Sequence, residues 1–429
     1  MILLEATSSV IIVSVIVFWL IITLLVVLLL YAKAKLLPSG KVKVIINDDK
    51  VVEADAGGSL LHTLADQKIF LPSACGGQGT CGMCKVQVLE GGGDILPTEE
   101  GFFTRKQIQD KWRLACQVKL KQDVKIKIPE HILGVKKMEC EVVSNKNVAS
   151  FIKEFVVKLP EGEKLNFRSG GYVQIYVPAP LEVDFAKDIE VDERFKPLWD
   201  KFDMWSLKMK NTEPTFRAYS MANHPAENDI VMLNVRIATT PWDRENNTWA
   251  KGIPPGVCSS YIFSLKPGDK VQVSGPYGEF FLREDENGNL TKNEKMFIGG
   301  GAGMAPMRSH IFHLFKTLKV RDIPVTFWYG ARNPNEMFYE EEYRAIEKEF
   351  DNFKFTVAYS DPQPEGEDWG APNGFIHQVI YDMYLKNHET PEDIEYYLCG
   401  PPLMIAAVKK MLYDLGVPDE NVMYDDFGS

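Results

Sequence analysis

From Val10 to Tyr31 the chain carries no charged side chain, only Val, Ile, Leu, Phe and Trp broken by Ser14 and Thr23. A run of that length crosses the roughly 30 Å hydrocarbon layer as a helix, with Tyr31 toward an interface. Lys33, Lys35, Lys41 and Lys43 follow the run and only Glu5 precedes it, so everything downstream is expected in the cytoplasm. The competing reading is a cleaved signal peptide, for which Ala32-Lys33-Ala34 would serve as the cleavage site. No Lys or Arg precedes the run, and it exceeds an ordinary signal core, which favours an uncleaved anchor. Beyond the breaker-rich Leu37-Pro38-Ser39-Gly40 the pattern turns to strands: Lys41 to Ile46 alternates, Asn47-Asp48-Asp49 turns, and a second strand centres on Val51-Val52. Ser59 caps a helical run from Leu60 to Ala65, Cys84 to Val88 returns to strand, and Gln117 to Pro129 alternates again.

After about Val135 the texture is all β, with turns at Gly170-Gly171, at Lys266-Pro267-Gly268-Asp269 and at Gly275-Pro276-Tyr277-Gly278. The last third alternates strand and helix. Strands are expected at Lys295 to Ile298, Val325 to Gly330, Phe353 to Ala358 and Tyr396 to Leu398, with a helix from Met307 to Lys319, which makes a doubly wound parallel sheet. The expected architecture is multidomain, α+β and α/β: residues 1–36 an anchor, 37–131 a small mixed domain, 132–290 an antiparallel β-barrel, and 291–429 a parallel-sheet domain.

The chain's 429 residues accommodate two to four such domains. A formal charge of -11 argues against nucleic acid, which requires a basic face. Seven cysteines with no even pairing suit a reducing compartment.

Four of those cysteines form a pattern. Cys75, Cys81 and Cys84 make a glycine-rich C-x5-C-x2-C run, and Cys116 follows in Arg113-Leu114-Ala115-Cys116-Gln117. Three thiolates on a tight loop plus one from a distant strand suit a [2Fe-2S] cluster. Zinc is the rival, but its sites usually take two C-x2-C pairs. Four plain core cysteines fit poorly, since Gly76-Gly77-Gln78-Gly79-Thr80 has no apolar period. With the order strand, strand, helix, loop, strand, strand, residues 37–131 resemble a β-grasp ferredoxin.

Within the all-β stretch, Arg217-Ala218-Tyr219-Ser220 offers a fixed cation, an aromatic face and a hydroxyl, each useful at a flavin. Gly256-Val257-Cys258-Ser259-Ser260 reads as a glycine turn opening a helix whose amides take phosphate. Together they resemble the FAD barrel of ferredoxin reductases; the plain alternative makes Tyr219 a core aromatic. Gly299 to Pro306 follows a strand with Gly300, Gly301, Gly303 and Pro306 in a G-G-x-G-x-x-P pattern, which resembles the dinucleotide turn of the same family. In Cys399-Gly400-Pro401-Pro402 the resemblance puts Cys399 by the nicotinamide, with a small core residue as the alternative. The ending Asp425-Asp426-Phe427-Gly428-Ser429 implies, by the same resemblance, that Phe427 covers the flavin ring, with packing as the alternative.

Soluble oxygenase reductases share this plan, but they generally lack an anchor and keep C-x4-C spacing. An insertion from Ala179 to Glu213, with Phe185, Phe195, Trp199, Phe202 and Trp205, adds a third difference; its aromatics either dock a partner or pack on the barrel. Over essentially its whole length the chain resembles the F subunits of bacterial Na+-translocating NADH:quinone oxidoreductases. That resemblance implies an inner-membrane, single-pass component that takes electrons from NADH through FAD to a [2Fe-2S] cluster. Other subunits of the complex would then reduce ubiquinone or menaquinone and expel Na+. Nicotinamide gives up a hydride and the cluster accepts one electron at a time, so a flavin between them has a physical reason. A reductase of an oxygenase, or a non-enzymatic membrane electron carrier, are the other readings. Arg332, after Tyr329-Gly330, is either a 2′-phosphate contact or a surface cation, so NADH over NADPH comes from the resemblance.

Overall fold

The computed structural model describes residues 2–36, 40–243, 245–246 and 248–425. The chain forms two compact units, one of residues up to Leu71 with Gly77–Gly134, the other of Pro72–Gly76 with everything from Val135 on.

In the first unit Ile2–Leu36 is one helix. Its Val13–Tyr31 portion is long and apolar enough to cross a membrane, and none of that portion is buried against protein. The mixed sheet runs in the order Lys50–Asp55, Lys41–Ile46, Val124–Lys127, Lys85–Glu90, Trp112–Leu114, with the first and last segments of the fold, Lys41–Ile46 and Val124–Lys127, paired in parallel. Asn47 and Asp48 both take positive φ, the geometry that lets a two-residue turn follow the twist of a hairpin. Ser59 caps the helix Leu60–Asp66 by accepting from the His62 amide, and Leu60, Leu61 and Leu64 of that helix are buried.

The second unit contains two large sheets with separate apolar cores, besides two small two-stranded ones among the described residues. Six antiparallel strands run in the order Thr215–Ser220, Tyr172–Val177, Lys270–Tyr277, Lys136–Ala149, Ile152–Lys158, Ile230–Arg236. The two outer strands meet where Met221 pairs with Leu233 and the Ala222 amide donates to the Met232 carbonyl at 2.6 Å, which closes the sheet into a barrel. The helix Val257–Ser264 buries Cys258 to Phe263 against this barrel. The insertion's Phe185, Phe195 and Trp199 are buried in the barrel core, while Phe202 and Trp205 lie partly buried against it. Trp199 Nε1 donates to the Ser150 carbonyl at 2.7 Å. Burial of that much ring area explains the insertion as packing.

The other sheet is wholly parallel, in the order Phe353–Tyr359, Val325–Ala331, Lys295–Gly300, Glu395–Cys399, Val422–Asp425. Its order reverses between Lys295–Gly300 and Glu395–Cys399, which is where ligands of open α/β sheets bind. The helix after the first of these strands begins earlier than its apolar spacing predicts, at Met304, and ends at Phe312 in a π-type turn, His313–Thr317.

Candidate functional site

Cys75 is buried within the second unit's Pro72–Gly76 segment. In the first unit Cys84 and Cys116 are buried and Cys81 is partly exposed. Cys116 does not lie on a strand as expected but in the turn that ends Trp112–Leu114. The cause is a buried ion pair: Glu99 takes a 2.7 Å bond from Arg113 Nη2 and a 2.8 Å bond from the Leu114 amide, so the backbone is gripped two residues before the thiol. The neighbouring Cys116 thiol, then burial, push Cys84 far above the ordinary thiol range, with Cys81 adding to the effect. Sulfurs crowded in this way resist ionising until a cation stands among them. Among the described residues no three metal-ligating side chains already form a closed group. The loop nevertheless fits a cluster: a side chain at Gly82 would overlap the Phe102 ring and one at Gly79 the Gln117 amide, and both glycines hold positive φ.

In the barrel, Arg217 donates to the Phe216 carbonyl at 2.8 Å and to Thr215 Oγ1 at 3.2 Å. Burial, then the nearby Cys258, hold the Tyr219 hydroxyl well above its usual range, and Arg217 pulls the other way. Burial pushes the Cys258 thiol up to about 12, so it is protonated at neutral pH. Arg217, Tyr219 and Cys258 thus share one neighbourhood, the strand supplying two and the helix the third. Gly256 heads the helix, and a Cβ there would press on Ala238. Ser259 Oγ binds the Ala238 amide at 3.0 Å, whereas the fully buried Ser260 Oγ has no partner among the described residues. That orphaned hydroxyl, next to the helix-end amides, fits a phosphate-bearing group. Ser220, the hydroxyl of the R-x-Y-S motif, donates to Asp425 Oδ2 at 2.7 Å; Asp425 belongs to no such motif, and no local pattern could show a bond across 205 residues.

At the switch point of the parallel sheet the two glycine turns touch. A side chain at Gly303 would fall on the Cys399 carbonyl, and one at Gly400 would sit 3.0 Å from the Gly300 carbonyl. Gly301 adopts positive φ, and Pro306 lies in the first turn of Met304–Phe312. Cys399 is fully buried in the apolar cluster with Phe297 and Tyr397, and Pro401 caps the helix Pro402–Asp414. Glycine backbone and proline dominate this crevice, which suits close approach of a dinucleotide pyrophosphate. Phe427 lies outside the described residues. A cavity of about 1100 Å³, lined by Arg168, Lys292, His313 and Arg321 among others, opens at the opposite, amino end of the sheet, and none of these groups lines it.

Three family models match: a 2Fe-2S iron-sulfur cluster binding domain at 44–121, an oxidoreductase FAD-binding domain at 201–282 and an oxidoreductase NAD-binding domain at 297–410. The chain therefore carries all three cofactor-binding domains. Among its relatives is the F subunit of the Na(+)-translocating NADH-quinone reductase of Methylococcus capsulatus, 53% identical over 93% of this chain and 94% of that one. Its counterpart in Psychrobacter arcticus is 55% identical over the same shares. Among solved structures, an Amycolatopsis cytochrome P450 reductase matches with TM-score 0.61 at 23% identity, covering 90% of this chain and 98% of that one. A ferredoxin reductase of carbazole 1,9a-dioxygenase matches with TM-score 0.57 at 23% identity, over 91% and 99%. Those two likenesses establish the ferredoxin-reductase-like fold.

Proposed function

This chain belongs to the F subunits of Na+-translocating NADH-quinone reductases, and from that premise we propose how its residues serve electron entry. The activity is NADH oxidation with electron transfer through FAD to a [2Fe-2S] centre; quinone reduction and Na+ translocation are work of the whole complex. Functional boundaries fall after residues 36, 131 and 290. When bound, FAD would supply the conversion of a two-electron hydride donor into single electrons of the kind a [2Fe-2S] cluster can take.

The chain's own residues do the holding. Cys75, Cys81, Cys84 and Cys116 would ligate the cluster, their loop kept open by Gly79 and Gly82. Arg217 and the first turn of the Gly256 helix, Val257, Cys258, Ser259 and Ser260, would neutralise the flavin pyrophosphate. Tyr219 would supply an aromatic face for the ring and Ser220 a hydroxyl fixed by Asp425, and Phe427 would cover the ring. Gly300, Gly301, Gly303, Pro306, Gly400 and Pro401 would admit NADH, with Cys399 at the strand end by its nicotinamide. The helix through Val13–Tyr31 would anchor the chain in the bacterial inner membrane beside the other subunits, with the soluble domains facing the cytoplasm, as the lysines after the span favour.

The observation that carries this reading is the meeting of the Gly300–Gly303 and Cys399–Gly400 turns at the sheet's switch point. Flavin, iron and labile sulfide assayed per chain in one purified sample test it: one flavin with two irons and two sulfides is expected, and a protein lacking either group ends the proposal. Sidedness is checked by protease access in oriented vesicles, where digestion of the soluble domains from the outer face would reverse the assignment.

A further inference from the structure

Lys153, on the barrel strand Ile152–Lys158, is 2% exposed, on a strand whose Phe155 and Val157 are fully buried. Its ammonium donates to the Phe263 carbonyl at 3.1 Å and lies 5.2 Å from the Phe263 ring centre. Phe263 belongs to the last turn of the helix Val257–Ser264. The other late carbonyls there are also held: Asn145 Nδ2 donates to Ile262 and Leu265 at 2.7 and 2.8 Å. A neutral amide already ties that helix end to the barrel wall, so an ammonium adds charge more than attachment. Burying one without a contacting carboxylate is costly, and an apolar side chain would pack there at lower cost.

We infer that Lys153 is a positioning residue for FAD, its buried cation completing the field of the Val257–Ser264 helix so that the opposite end binds the flavin pyrophosphate. The helix is about 12 Å long, so the charge and an anion at the first turn face each other along one dipole through low-dielectric protein. This rests on the reading that the helix N-terminus takes the pyrophosphate. Burial lowers Lys153 to about 8, with Glu190 raising it and Lys266 lowering it. Those two form a 2.9 Å ion pair at the surface. The cation is therefore lost in an accessible pH range.

The full chain, stripped of flavin and titrated with FAD between pH 6.5 and 9.5, provides the test. Wild-type affinity is expected to fall about fivefold through a midpoint somewhat above 8. Lys153→Met should show the weaker affinity throughout, without that step. Lys153→Arg should keep the tight affinity to the top of the range, and it remains informative if the Met variant fails to fold. An unaltered step in Lys153→Arg, or wild-type affinity in Lys153→Met, overturns the inference. Ser260→Val separates the two levels: if it leaves FAD affinity intact the phosphate assignment falls, whereas if it weakens FAD while the Lys153 variants do not, only the role of Lys153 falls.

Discussion

Ser220 and Asp425 share a 2.7 Å hydrogen bond that joins the last position of a barrel strand to the last strand of the parallel sheet. The carboxylate fixes which way the hydroxyl points, and a hydroxyl held in one direction can meet a ligand in one orientation. Asp425→Ala is expected to slow flavin bleaching by NADH about tenfold in stopped-flow traces, with Asp425→Asn much milder because its carbonyl oxygen still accepts. Equal rates in all three proteins would remove Ser220 from the orienting groups.

Cys81→Ala should abolish the cluster's low-temperature paramagnetic signal while leaving NADH-dependent bleaching of the flavin at its normal rate. Cys81 and the residues proposed to hold the flavin reside in different compact units, so loss of one function need not unfold the other. Persistence of the signal would show that Cys81 is not a ligand.

Gly303→Ala places a methyl group on the Cys399 carbonyl. Overpacking of this kind costs about 1–3 kcal/mol, taken here from the turn proposed to admit the dinucleotide. The KM for NADH should rise tenfold or more with flavin content unchanged. A wild-type KM would show that the crevice lies elsewhere.

Glu99→Ala leaves Arg113 buried without its carboxylate and the Leu114 amide unbonded. Breaking a buried pair from one side costs about 3–5 kcal/mol. The variant should lose iron on gel filtration and melt at lower temperature, whereas retention of iron at wild-type level would separate the ion pair from the Cys116 turn.

Lys153 makes a contribution of definite sign to the pH dependence of stability. Its folded pKa is about 8, below the 10.5 of the exposed side chain, so the unfolded chain binds the extra proton between those values. The Lys153 contribution to stability therefore rises with pH from about 8 to 10.5, by about 3 kcal/mol, while buried thiols held above their ordinary range, such as Cys258, act in the opposite sense above about 9. Lys153→Met should be more stable at pH 7 and lack this rise in chemical denaturation; an unchanged slope would mean the ammonium is solvated after all.

What is legible in the sequence is what local spacing encodes. The apolar run, the cysteine loop, the glycine turns and the strand-helix alternation each depend on residues within a few positions of one another. The fourth thiol is expected on a strand, but that strand ends at Leu114 where Glu99 grips the backbone, a constraint from outside the window. The helix at Met304 starts before its predicted position because the preceding glycines can wind into a 3-10 turn that leads into it. Lys153 sits at a buried position of an alternating strand, where a charge looks like noise until the Phe263 carbonyl is seen against it. The insertion's rings give no hint of which side is buried, since aromatics serve packing and docking equally well.

The hollow at Gly303 is filled by a peptide from the end of a neighbouring strand. Two stretches well separated in the gene therefore share one volume, and neither can drift alone: a mutation that swells either turn must wait for a retreat in the other. That steric coupling between positions distant in sequence holds whether or not a ligand lies across it.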